Sequence, residues 1–123
     1  MNCTKNEPWD PTDATYAIRE IGKHPALSIA YKMHATQRLS ERGIITSDVL
    51  QLLRRGFVYE PPVEATSRGY YRYVIQGRTP NSDNRDIAAV IIPNPKTMAV
   101  KIVTVYWVDE HNTKSGTLME DPK

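Results

Sequence analysis

The chain has one cysteine, Cys3, among its 123 residues. A single thiol excludes an intrachain disulfide and any cysteine-based metal cluster, and a cytoplasmic setting is the expectation. No apolar run approaches the ~20 residues that a bilayer-spanning helix needs, so no membrane partner is expected. Met1 to Asp10 lack the apolar core of a signal peptide. Repeats and low-complexity tracts are absent. Two histidines plus a carboxylate cannot be assembled at metal-ligand spacing, so neither a metal site nor a cofactor is expected. The length suits one domain with a real core.

Charge is unevenly spread. Residues 21–108 hold 12 Lys and Arg against 6 Asp and Glu, whereas the two ends hold 4 against 8. A basic body between acidic ends suits an anionic partner such as nucleic acid. A surface shaped only for solubility would carry the same balance.

The stretch His34–Ile44 organises the chain. It reads as a short helix stopped by Gly43, with His34, Arg38, Glu41 and Arg42 on one broad face and Ala35 and Leu39 on the neighbouring one. Before it, Thr12 is placed to cap a helix over Asp13–Lys23, with Ala14, Ala17, Ile18 and Ile21 as its apolar stripe. Residues 26–33 either lead straight into the His34 helix or form a short extended entry. After Gly43, Thr46 or Ser47 caps the clearest helix, carrying Val49, Leu50, Leu52 and Leu53, with Gly56 in the left-handed position beyond its end.

The period then changes to two. Strands are expected at Phe57–Glu60, Gly69–Gln76, Asp86–Ile92 and Met98–Val108. In the second, Tyr71, Tyr73 and Ile75 share one side, and Tyr70, Arg72, Val74 and Gln76 the other. A polar tail starts at Asp109. Helices followed by a meander of about four strands argue for an α+β fold, with the N-terminal helices packed on one face of an antiparallel sheet. The divisions are residues 1–25 as an arm and extra helix, 26–108 as the domain, and 109–123 as the tail.

Four segments together resemble a known family: His34–Ile44 as His-Ala-x-x-Arg-x-x-x-Arg-Gly-Ile, the Val-Leu-x-x-Leu helix ending in glycine, Tyr71–Tyr73, and the closing Lys-Ile-Val-Thr-Val-Tyr of Lys101–Tyr106. They resemble a widespread bacterial domain of uncharacterised function related to BrnT and RelE-type toxins, over roughly residues 30–108. The resemblance implies a RelE/BrnT-like fold and a small metal-independent ribonuclease, often the toxin of a toxin–antitoxin pair. His34, Arg38 and Arg42 match the family's polar helix, Tyr71, Arg72 and Tyr73 its second strand, and Thr104 and Tyr106 its last. The long loop at Arg78–Arg85 and the N-terminal helix depart from the pattern.

Metal-free RNA cleavage needs a base for the 2′-hydroxyl, cations for the phosphate oxygens and an acid for the leaving oxygen. The expected catalytic set is His34, Arg38, Arg72, Tyr73 and Thr104, with His34 moving protons. The expected RNA contacts are Arg42, Tyr71, Arg78, Lys101 and Tyr106. Arg38 and Arg72 are expected to share one cleft with His34. The implied partners are RNA, on or off the ribosome, and a cognate antitoxin. Each residue also has a plain reading: Arg38–Glu41 as a surface ion pair, Arg42 as a helix-end cation, and Tyr70–Tyr73 and Thr104 as ordinary strand composition. A catalytically inactive relative that binds protein or nucleic acid is the alternative.

Overall fold

In the computed structural model, which describes residues 6–112, the elements follow as α1 (Pro11–Lys23), β1 (Ser28–Tyr31), α2 (Met33–Arg42), α3 (Thr46–Arg55), β2 (Phe57–Val58), β3 (Val63–Glu64), β4 (Tyr71–Gly77), β5 (Ile87–Asn94), β6 (Ala99–Trp107) and α4 (Val108–Asn112). The expected helices are present, with shifted caps. α1 starts two residues early because the Asp10 carboxylate accepts the Asp13 N–H at 2.8 Å, and Pro11 suits a first helical turn that needs no N–H. α2 stops at Gly43, whose φ of 67° is left-handed. α3 is capped at Ile45 rather than at Thr46 or Ser47: the Asp48 carboxylate reaches back to the Ile45 N–H at 3.0 Å. Gly56 is extended, not left-handed. Glycine is needed there for space, since a Cβ would lie 2.6 Å from the Leu52 carbonyl oxygen and 2.8 Å from Ile75 Cγ1.

The sheet runs β1-β6-β5-β4-β2, with β3 also on β4. The expectation of about four antiparallel strands is corrected to six in a mixed sheet. β1 pairs parallel with β6, while the other pairings are antiparallel. Four-residue β1 and two-residue β3 are too short to show a period of their own. α1, α2 and α3 cover one face. There Ile18, Leu39, Val49, Leu52 and Leu53 pack on Tyr73, Ile75, Ile91, Ile102 and Val105. The second face carries a smaller cluster of Ala88, Val90, Val103 and Tyr106, with Val108 at its edge. α1, expected as an extra, is part of the main core: a Cβ on Gly22 would lie 2.9 Å from the Leu53 backbone. The start of the expected polar tail forms α4, which Arg85 holds by pairing with Asp109 at 2.9 and 2.8 Å while lying over Trp107. The rest of that tail, and Cys3, lie outside the described residues.

The arm before α1 is pinned to the core. Trp9 is buried, packs on the Tyr73 ring, and donates its N–H to Tyr73 Oη at 3.1 Å. Half-buried Glu7 sits beside the same phenol. Burial raises its carboxyl above the usual range, and a hydrogen bond from Tyr73 offsets part of the rise. A raised folded value means that the folded state keeps this proton to higher pH than the unfolded chain does. The associated stability is full below the ordinary glutamate range and is lost as pH rises through the raised value. Glu7→Gln keeps the shape without the charge. It is expected to melt above the wild type at about pH 7 and with it at about pH 4. Thermal melts across pH check this; an identical gap at both ends would mean that the carboxylate bears no burial penalty.

Candidate functional site

Alternation along β4 builds a site on the second face, opposite α2. Tyr73 and Ile75 point to the helices, so Arg72 points away, as the period of two requires. Lys101 on β6 has Ala30 and Ile92 as its ladder neighbours, and the Tyr73–Ile91 pairing sets Arg72 beside Ile92. The two cations therefore stand two strands apart, roughly 10 Å, with a single isoleucine between them. Ser28 and Lys32 close one side, and Ala65–Ser67, Tyr70 and Asn94 the other. The hairpin wall is held by Ala65 N–H to the Tyr70 carbonyl at 3.0 Å and Tyr70 N–H to that of Ser67 at 3.2 Å. The result is a cleft of about 330 Å³.

Its electrostatics are one-sided. Lys32, Arg72 and Lys101 line it, and among the described residues the lining holds no carboxylate. The register sets Glu64 opposite Tyr71 and only Val63 opposite Arg72, which directs Glu64 to the other face. Arg72 Nε is buried from solvent with no hydrogen-bond partner. An unmet buried donor is costly. A phosphate matches the planar guanidinium.

The expected site residues do not converge. Arg72 and Lys101 are in the cleft; His34, Arg38 and Arg42 are on α2, across the sheet. A shared cleft for Arg38, Arg72 and His34 is thereby overturned, and the cause is strand parity. His34 is exposed at the start of α2. Arg38 pairs with Glu41 at 3.2 Å on the helix surface. Arg42 braces α2 on β6: its guanidinium donates to the Val105 carbonyl at 2.6 Å, and its own carbonyl accepts from Trp107 Nε1 at 2.7 Å. Tyr73 is buried on the helix side, where burial pushes its phenol above the ordinary range; Tyr71 packs against the same core. Thr104 and Tyr106 are buried too, Thr104 opposite Val90 and Tyr106 opposite Ala88 on the second face. Arg78 lies beyond the far end of β4, paired with Asp86 at 3.5 Å.

The cleft adds Lys32, Tyr70 and Asn94, which reading the chain by motif passes over. Tyr70 was available by parity, since it shares a side with Arg72. Lys32 was not, because it depends on residues 28–31 being a strand. Asn94 Nδ2 lies 3.4 Å from Tyr70 Oη, closing the wall between them. Among the described residues no three His, Cys, Asp or Glu side chains group to hold a metal ion, and no helix is long and apolar enough to cross a membrane.

Residues 31–107 match a family model described as a domain of unknown function, DUF4258. No curated protein and no solved structure matches the chain.

Proposed function

The chain belongs to the DUF4258 family, and on the cleft that its sheet carries we propose that it is an RNA-binding domain of a BrnT/RelE-type, toxin-related fold, seating a phosphodiester segment between Arg72 and Lys101. The observation that carries this reading is the lining of three cations, Lys32, Arg72 and Lys101, with no carboxylate among the described residues that line the cleft. Tyr70, at the rim, offers a π-face to a splayed base, as single-stranded recognition requires. This reading places the chain in the cytoplasm with RNA as its partner.

A second reading is a metal-independent endoribonuclease, the toxin of a toxin–antitoxin pair with a cognate antitoxin as partner. The position of His34 favours it. His34 is exposed at the start of α2, two positions after the cleft residue Lys32, and its imidazole suits proton transfer on a strand that runs from the cleft past the edge of the sheet.

Fluorescence anisotropy with a single-stranded RNA tests the first reading. Arg72→Ala and Lys101→Ala are each expected to weaken binding about tenfold and to lower the salt slope by about 0.7 for each phosphate that is no longer neutralised. Arg38→Ala, across the sheet, should leave affinity unchanged. No binding by the wild type at low salt would sink the proposal. For the second reading, a gel assay on mixed RNA with and without EDTA, in the presence of ribosomes, compares wild type with His34→Ala. Cleavage that survives EDTA and disappears in His34→Ala supports the enzyme, and intact RNA in every lane leaves the binding domain alone standing.

A further inference from the structure

We infer that the exposed Phe57–Tyr59 stack beside Arg19 is a second subsite for the same RNA strand, a base-stacking platform outside the cleft. This inference rests on the RNA-binding reading above. In the β2–β4 register Phe57 lies opposite Gln76 and Val58 opposite Ile75. Val58 is buried in the helix-side core, whereas Phe57 turns outward at the edge of the sheet, where Arg19 of α1 reaches its ring. Phe57 is 48% exposed and Tyr59 63%, and their rings lie 6.1 Å apart at 22°, close to parallel. At the cleft end of the same edge, Val63 lies opposite Arg72 and is also exposed. From Arg72 to Gln76 is four residues along β4, about 13 Å, a distance that a short oligonucleotide spans. The outer margin of β4 thus carries exposed apolar side chains from the cleft mouth to the ring stack.

A fixed cation completes the platform. Arg19 Nε donates to the Gly56 carbonyl at 3.0 Å and its NH2 to that of Arg55 at 3.1 Å. These bonds hold the guanidinium 4.5 Å from the Phe57 ring centroid. The charge is therefore already in place, and ordering it adds little cost on binding. The backbone of β2 argues against an added peptide strand, because Thr15 Oγ1 already accepts the Val58 N–H at 2.9 Å. What this edge offers is two ring faces and a cation, which suit bases and a phosphate.

The test compares labelled uridine oligomers of about 3 and about 10 nucleotides by anisotropy. The wild type is expected to bind the longer one roughly 5- to 100-fold more tightly, the range that stacking of a single base supplies. The Phe57→Ala/Tyr59→Ala pair should lose that preference while keeping the wild-type affinity for the short oligomer and the wild-type circular dichroism. Tyr59→Ala alone, at the more exposed ring, should lose part of it. Equal affinity of the wild type for both lengths overturns the platform but leaves the cleft reading intact. Full affinity of the double variant for the longer oligomer also overturns it. Failure of the wild type to bind either oligomer overturns the cleft reading and the platform with it.

Discussion

Leu52→Ala is expected to cost the fold about 2–5 kcal/mol. Leu52 is 1% exposed and belongs to the main core under α3. Its Cδ2 reaches to 3.7 Å from where a Cβ on Gly77 would stand, so the side chain fills the gap between α3 and the end of β4. Gly56 lets the chain approach this closely, since a Cβ there would stand 2.6 Å from the Leu52 carbonyl oxygen. A backbone drawn in so tightly has little freedom to collapse into the space vacated by three carbons, which puts the cost in the upper part of the range. Urea denaturation checks it: the midpoint should fall with the slope unchanged. Leu53→Ala should behave alike, because its side chain is fully buried in the same core. Unchanged midpoints in both variants would remove this face of α3 from the core.

Asp48→Ala is expected to cost about 2–4 kcal/mol. Asp48 is 1% exposed, with each carboxylate oxygen engaged. Oδ1 accepts from Thr79 Oγ1 at 2.7 Å; Oδ2 accepts from Ile45 N–H at 3.0 Å and from Asn81 Nδ2 at 3.1 Å. Thr79 and Ser82 are in turn bonded to each other, Thr79 N–H to Ser82 Oγ at 2.9 Å. One carboxylate thus caps α3 and gathers the loop after β4. Alanine would leave three donors unmet, one of them, the Thr79 hydroxyl, buried. Asp48→Asn, which accepts through one oxygen only, should lose less. Hydrogen exchange gives a local readout: amides of Thr79 and Ser82 should exchange faster in Asp48→Ala than the global loss of stability explains. Protection unchanged at those amides would show that the loop stands without Asp48.

Much of the scaffold was legible because its signals are local. The stripe Val49, Leu52, Leu53 lies on one face of a helix whatever surrounds it, and Gly43 stops α2 by its own backbone freedom. The alternation of Tyr70 to Gln76 was equally readable, and carried through it would have separated Arg72 from Tyr71 and Tyr73, which cannot share its face. What was not legible depends on pairing. β1 is a strand because it lies against β6, far along the chain, and without β1 the cleft has no Lys32 wall. Arg42 looks in sequence like any cation near a helix end. Only the return of β6 supplies the Val105 carbonyl and the Trp107 indole that make it a brace.

The family match begins at residue 31, after α1 and most of β1, yet Ile18 and Ile21 of α1 are as deeply buried as Leu52. The matched segment is therefore shorter than the segment that packs into one core. A fragment trimmed to residues 31–107 would bare the apolar side of α3 and unpair the outer margin of β6, inviting self-association through both.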